Sequence, residues 1–263
     1  MRVTSLGYRT DVALRMLEGA EVAARGDHLV VRTPGNPDYW WGNFLLLAAW
    51  PRPDTGDSWL ARFAAEFPAA RHVALGVDAA AGLEVVPVEF VAARLEARRD
   101  TVLTCAAVKP PPHHSAAAAI RRLHPDDDAD WRQSVDLSVR CHDQGDAGGY
   151  LERKTTARRR VVRAGRGAWF GAFRGGRLLA QLGLFDAGGG YARYQHVETD
   201  PEFRRQGLAG SLLGHAGRYG RDELGASTLV IVADPADAAI LLYRARGFAD
   251  REIQVSFERP ADD

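Results

Sequence analysis

The strongest constraint on the fold lies in residues 197–248, where an apolar strand runs into a glycine-rich cationic turn, a helix, a second strand and a second helix. Asp200-Pro201 closes the first strand, because proline withholds a ladder donor and aspartate favours a turn. Arg204-Arg205-Gln206-Gly207-Leu208-Ala209-Gly210 follows, and Leu208, Leu212, Ala216 and Tyr219 then recur at helical spacing. The first turn of that helix falls on residues 206–210, where N–H groups lack intrahelical partners and the positive end of the helix dipole faces outward. Gly207 and Gly210 allow a ligand close to the backbone, Ala209 adds little bulk, and Arg204 and Arg205 can contact anionic oxygens. An ordinary helix start with solvated arginines fits the same residues, so the loop alone leaves both readings open.

The residues beyond the loop continue the pattern. Thr228–Ala233 is a short apolar run suited to a strand buried on both faces. Asp234-Pro235 predicts a helix N-cap followed by proline at the first helical position, with Asp237 placed to complete a capping-box-like pair. Ala238, Ala239, Leu242 and Tyr243 line that helix, Gly247 stops it, and Phe248 packs back beyond the stop.

These motifs carry a resemblance. Arg204-x-x-Gly207-x-Ala209, preceded by Val197-x-Thr199-x-Pro201, resembles the acetyl-CoA loop of the GNAT acetyltransferase superfamily. Ala239-x-x-x-Tyr243-x-x-x-Gly247-Phe248 resembles that family's second cofactor motif. The resemblance covers roughly residues 117–258. It implies an α/β (α+β) fold with a mixed, mostly antiparallel sheet flanked by helices. It also implies acetyl-CoA as co-substrate, held by Val197, Glu198, Thr199, Arg204, Arg205, Gln206, Gly207, Leu208, Ala209, Gly210 and Tyr243. Where the family usually carries an asparagine seven residues before the tyrosine, this chain has Ala236, which removes one contact to the pantetheine arm or an ordered water.

The chain has 263 residues and a hydrophobic fraction of 46%, enough for one large or two modest domains with real cores. A formal net charge of zero argues against a nucleic-acid or anionic-membrane partner. Cys105 and Cys141 lie far apart without a CxxC pattern, which predicts neither a disulfide framework nor a metal site and suits a reducing cytoplasm. No run reaches membrane-spanning length, and the N-terminal residues lack the apolar core of a signal peptide, so a cytoplasmic protein is expected.

Lys109-Pro110-Pro111-Pro112-His113-His114-Ser115 is the clearest seam. It predicts an α/β domain over 1–109, a linker at 110–115 and the GNAT-like domain over 116–263. His113 and His114 read as a solvated pair, since nothing nearby completes a metal site. Beyond the seam the expected order is a strand at 117–123, a helix opened by residues 125–128, a helix over 149–163 with a solvated face of Arg153, Arg158, Arg159 and Arg160, a hairpin of 168–173 and 178–185, and a strand at 191–199. In the first part, helices are expected at 9–24, from Asp57 or Ser58, and over 83–98 with its start delayed by Pro87. Strands are expected at 28–32, 38–50, 71–78 and 101–108. VALGVD at 73–78 resembles LVIVAD at 229–234, so the first half reads as a degenerate copy of the second. Its counterpart to the phosphate loop, Pro51-Arg52-Pro53-Asp54-Thr55-Gly56-Asp57, lacks two N–H donors and carries two carboxylates, and is not expected to bind CoA.

Acyl transfer to an amine needs a neutral nucleophile held near the thioester, stabilisation of the oxyanion, and a proton for the departing thiolate. Tyr243 is the expected general acid, against the plainer reading that it only packs on the pantetheine arm. For the base, His196 and Glu198 are the candidates, although strand alternation puts both opposite Val197 and Thr199 unless a bulge intervenes. The leading expectation is an N-acyltransferase moving acetyl from acetyl-CoA to a small-molecule or peptide primary amine, as a monomer or homodimer and without a metal. The alternative is a non-catalytic acyl-CoA-binding or interaction protein.

Overall fold

The computed structural model describes residues 1–79, 85–111, 118–141 and 149–260. It divides into two compact units, one of Met1–Val102 with Arg251–Asp263 and one of Leu103–Asp250. The linker expected at 110–115 is therefore described only at Pro110 and Pro111, and His113 and His114 lie outside the described residues. The division falls ahead of that linker and gives the end of the chain to the first unit.

The first unit contains α1 (Leu6–Leu17), β1 (Glu21–Ala24), β2 (His28–Arg32), β3 (Phe44–Leu47), α2 (Gly56–Glu66), β4 (Val73–Val77), α3 (Val88–Ala92) and the start of β5 (Glu96–Cys105). β1, β2 and β3 pair antiparallel, β3 and β4 pair parallel, and β4 is closed on its other side by β11 (Ala249–Arg259), antiparallel through Val255↔Val77 and Phe257↔Leu75. Its core is the apolar run Phe44, Leu45, Leu46 and Leu47 against Val77, Phe63, Phe90 and Phe257. The Tyr8 hydroxyl donates to the Val255 carbonyl at 2.6 Å and fixes α1 to that last strand.

The second unit contains β6 (Ala119–Arg122), α4 (Asp128–Cys141), α5 (Tyr150–Arg163), β7 (Gly167–Arg174), β8 (Arg177–Asp186), β9 (Tyr191–Thr199), α6 (Leu208–Asp222), β10 (Thr228–Ala233) and α7 (Ala239–Ala245). β6, β7, β8 and β9 pair antiparallel in that order, and β10 pairs parallel to β9. The sheets are thus mixed and mostly antiparallel, as expected. α6 buries Leu208, Leu212, Leu213, Ala216 and Tyr219, the stripe its spacing predicts, among Phe170, Leu184, Tyr194, Leu229, Tyr243 and Phe248. Leu103 and Cys105, at the end of β5, join this core. Both units run helix, three antiparallel strands, helix, parallel strand, helix. β4 and β10, the strands of similar sequence, hold the same place in that order.

Several expected elements differ from the observed ones. The helix expected at 9–24 spans Leu6–Leu17 and gives way to β1, because Gly19 at φ +100° turns the chain and the N–H groups of Glu18 and Ala20 close onto Leu14 and Arg15 carbonyls. The strand expected at 38–50 shrinks to β3. The Asn43 amide donates to the carbonyls of Asn36 and Tyr39 and accepts from Thr33 N–H, folding the aromatic stretch ahead of it into a turn with a short 3-10 helix at Trp40–Gly42. Of the helix expected over 83–98, whose first residues lie outside the described ones, only α3 forms. Pro87 precedes it as anticipated, and Arg94 at φ +58° ends it and feeds β5, which stops at Cys105 rather than 108. α2 starts at Gly56, one residue ahead of Asp57 and two ahead of Ser58, the two expected caps. Asp234 accepts from Ala236 N–H at 2.8 Å and caps a turn, so the helix expected there starts five residues later, at Ala239.

Candidate functional site

The loop residues sit where their chemistry demands. β9 ends at Thr199, and Asp200 accepts from Glu202 N–H to cap a 3-10 turn over Pro201–Phe203. Arg204, Arg205, Gln206 and Gly207 then run exposed into α6. Arg205 at φ +61° and Gly207 at φ +78° adopt the left-handed conformation, which curls the backbone immediately before Leu208. The first intrahelical hydrogen bond runs from Ser211 N–H to the Gly207 carbonyl at 3.0 Å, so the N–H groups of Leu208, Ala209 and Gly210 precede it. Leu208 gives its side chain to the core and can offer only backbone. Arg204 Nε donates to the Thr199 carbonyl at 3.4 Å, and Gln206 accepts from Arg174 at 3.2 Å.

Three features of the loop suit a pyrophosphate. Its cationic residues are exposed, its helix donors are unspent, and the buried Ser211 hydroxyl has no hydrogen-bond partner among the described residues. A Cβ at Gly210 would come within 3.6 Å of Leu242, so α6 and α7 approach each other closely at that point.

Tyr243, on α7, is buried with its ring edge-on to Phe248 at 6.4 Å between centroids. Burial, with Asp237 adding to it, pushes its hydroxyl well above the usual tyrosine range, so it stays protonated across neutral pH. Gly247 at φ +95° stops the helix, and Phe248 N–H closes onto the Tyr243 carbonyl at 3.1 Å, as the sequence predicts.

The bulge that alternation required is present. In the pairing of β8 with β9, Gly183 faces Gln195 and Gln181 faces Glu198, so His196 and Val197 together oppose one residue, Leu182. His196 carries the distortion at φ +49°, a conformation that costs a non-glycine residue about 1–3 kcal/mol. The ladder between β9 and β10 extends only over Thr228↔Tyr191, Leu229↔Ala192 and Val230↔Arg193. Val197 and Thr199 therefore lie beyond the part of β9 that pairs with β10, next to the turn that enters the loop.

The bulge brings the two candidate bases together. His196 Nδ1 lies 3.3 Å from Glu198 Oε1. Glu198 is 7% exposed, and its Oε2 accepts from Gln181 Nε2 at 2.6 Å and Ser138 Oγ at 2.8 Å. Burial alone would raise this carboxyl, but the hydrogen bonds from His196, Gln181 and Ser138 outweigh it and hold the group well below the ordinary glutamate range. The imidazole moves the other way. Withdrawal from water, with repulsion from Arg158 and Lys154, lowers it well below the usual histidine value despite the pull of Glu198. The site at neutral pH thus pairs an anionic Glu198 with a neutral His196.

Arg158 corrects the expectation of a solvated arginine face on α5. It is buried, lies over the Trp169 ring at 5.0 Å, and hydrogen-bonds His196 Nε2. Lys154, one turn earlier, is buried as well, whereas Arg160 is exposed. The α5 heptad-like spacing of Lys154, Arg158 and Val161 carried the signal, since all three fall on one helix face. Sequence reasoning also missed Gln181, Ser138 and Trp169. A fully buried glutamine in an otherwise apolar strand, RLLAQLGLFD, was the available clue. The structure does not bring Tyr243 into hydrogen bonding or ring contact with the His196–Glu198 pair among the described residues. No group of three or more potential metal-ligating side chains occurs among those residues, and no helix there is long and apolar enough to cross a membrane.

Comparison with known proteins finds one family to which part of the chain is similar. Residues 131–248 match the family model described as Acetyltransferase (GNAT) family. No curated protein matches the chain. Solved structures similar to the chain include a functionally unknown conserved protein from Staphylococcus epidermidis ATCC 12228, at TM-score 0.67 and 11% identity over 93% of this chain and 95% of that one. A GCN5-related N-acetyltransferase from Kribbella flavida follows at TM-score 0.61 and 14% identity, covering 98% of each chain. A tandem GNAT protein from the clavulanic acid biosynthesis pathway matches at TM-score 0.55 and 14% identity over 98% and 95%. At these identities the likeness is one of fold.

Proposed function

We infer that this chain, whose residues 131–248 form a domain of the acetyltransferase (GNAT) family, is an acyl-CoA-dependent N-acyltransferase that moves acetyl from acetyl-CoA to a primary amine by direct attack. The observation that carries this reading is the curled backbone at Arg205 and Gly207, opening α6 directly after a strand bulged at His196. The loop amides, Arg204 and Arg205 receive the pyrophosphate; Val197 and Thr199 flank the pantetheine arm, and their strand supplies a backbone N–H to the thioester oxygen.

The amine nitrogen attacks the thioester carbon, the carbon–sulfur bond breaks, and the thiolate takes the Tyr243 hydroxyl proton. His196 receives the proton shed by the amine at Nε2 once the Arg158 guanidinium that covers it is displaced, and the Glu198 anion steadies the imidazolium so formed. Glu198 itself is too weak a base for that task at neutral pH. The acceptor is a small-molecule or peptide amine, the setting is cytosolic, and no metal takes part.

Release of CoA thiol in the presence of an amine panel tests the reading. Tyr243→Phe is expected to lower kcat about 10²-fold or more while acetyl-CoA affinity is retained. The second reading, an acyl-CoA-binding protein without chemistry, is favoured by Ala236, which leaves out a side-chain amide towards the pantetheine arm or an ordered water. Tight acetyl-CoA binding with no thiol release from any amine would establish it.

A further inference from the structure

We propose that Gln181 is the positioning residue of this site: its amide fixes Glu198 Oε2 as a hydrogen-bond acceptor and so holds the carboxylate with Oε1 towards the proton that Arg158 leaves on His196 Nδ1. The inference rests on the acyltransferase reading for its consequence, but its geometry stands apart from it.

Gln181 is fully buried on β8, directly across from Glu198 in the ladder. Every polar atom of its side chain is engaged. Oε1 accepts from Trp169 Nε1 at 2.9 Å and from Ser134 Oγ at 2.5 Å. Nε2 has two N–H groups: one donates to the Ser134 carbonyl at 3.0 Å, the other to Glu198 Oε2 at 2.6 Å, shared with Ser138 Oγ at 3.1 Å. An indole N–H only donates and a backbone carbonyl only accepts, so these two partners fix which end of the amide is which. The end facing Glu198 is the donor, and Glu198 Oε2 must accept. At the far end of the chain of contacts Arg158, a donor only, meets His196 Nε2, which therefore carries no proton. The imidazole proton is on Nδ1, facing Glu198 Oε1, and that oxygen must accept too. Two donor-only groups, Trp169 and Arg158, thus leave one consistent assignment for everything between them.

Local structure explains how Trp169 reaches Gln181. Gly183 lies two residues along β8, and a Cβ there would come within 2.5 Å of the Trp169 ring. The missing side chain lets the indole lie across the strand. Besides Gln181, Glu198 is faced by His196 on its own strand and by Ser138 and Cys141 from α4; Arg158 and Lys154 from α5 act on His196, and Arg140 of α4 pairs with Asp200. Gln181, like Ser138, is a neutral donor to Glu198 and carries no titration of its own, so removing it changes the hydrogen bonding of Glu198 without adding or removing charge.

The test follows the Glu198 carboxyl carbon by NMR against pH, assigned with Glu198→Gln, in the unliganded full chain and in Gln181→Met, whose unbranched side chain keeps the volume. The midpoint of Glu198 is expected to rise by about one pH unit or more in the variant, a tenfold gain in proton affinity. KM for acetyl-CoA should hold. Trp169→Phe, which frees one end of the amide, is expected to give a smaller rise and carries the test if Gln181→Met does not fold. An unchanged Glu198 midpoint in a folded variant overturns the proposal. A raised midpoint in a chain that transfers no acetyl group upholds it and removes the acyltransferase reading instead.

Discussion

At residue scale, the site stands on side chains held in protonation states that burial alone would not choose for all of them. Glu198 is kept anionic by donors, and His196 neutral by burial and neighbouring cations. Both bind fewer protons in the folded chain than in the unfolded one. Stability from this pair is therefore present above the unfolded histidine range and is lost as pH falls from about 7 towards the folded value of Glu198. Replacing His196 with Gln should flatten that dependence. Urea midpoints at pH 7 and pH 5 are expected to differ less in His196→Gln than in the native chain, and an equal difference would contradict the assigned states. The sequence offered His196 and Glu198 only as alternatives, because period-2 alternation says nothing about a bulge. The residues that decide between them, Gln181, Trp169 and Arg158, lie on other elements and are joined to them only by the fold.

At element scale, legibility followed the strength of local signals. β7, β8, β9, β10 and α6 lie close to their expected bounds, since each has a clear apolar pattern and a glycine, proline or aspartate near its ends; α5 does too, although its buried face is largely basic. The first half misled where polar side chains reorganised the backbone. Asn43 turned an apparent strand into a turn, and Arg94 and Gly19 ended helices that composition alone would have continued. The turn at residues 204–207 and the start of α6 were legible, whereas the capping box at Asp234 was not, because Asp234 and Asp237 each bond the N–H two residues on and form turns instead. Gly183 belongs at this scale too. Gly183→Ala should displace Trp169 from β8, and a fall in the tryptophan near-UV signal with the far-UV signal intact is the expected result; an unchanged near-UV signal would contradict the packing described.

At the scale of the whole molecule, the repeated order of helices and strands supports the idea that the first half is a degenerate copy of the second. The two copies are not equivalent. Unit one joins β3 to α2 through Pro51, Pro53 and Asp54, with Asp57 in the first turn of α2, in the place where unit two has its arginines and glycines. One acetyl-CoA per chain is the expected stoichiometry. The first unit also depends on the last strand in the sequence, since β11 closes β4 and buries Phe257 in its core. Phe257→Ala should cost about 3–5 kcal/mol, read as a lowered urea midpoint of the first unit.

The central claim is that the turn at residues 204–210 holds the pyrophosphate of acetyl-CoA. Isothermal titration calorimetry of acetyl-CoA against the native chain and against Gly207→Trp tests it most directly, because a tryptophan there meets both a φ of +78° and the path of the ligand. The account predicts binding at one site in the native chain and none in the folded variant. Equal binding by both would place the cofactor elsewhere, and no binding by a folded native chain would show that the loop no longer serves acetyl-CoA.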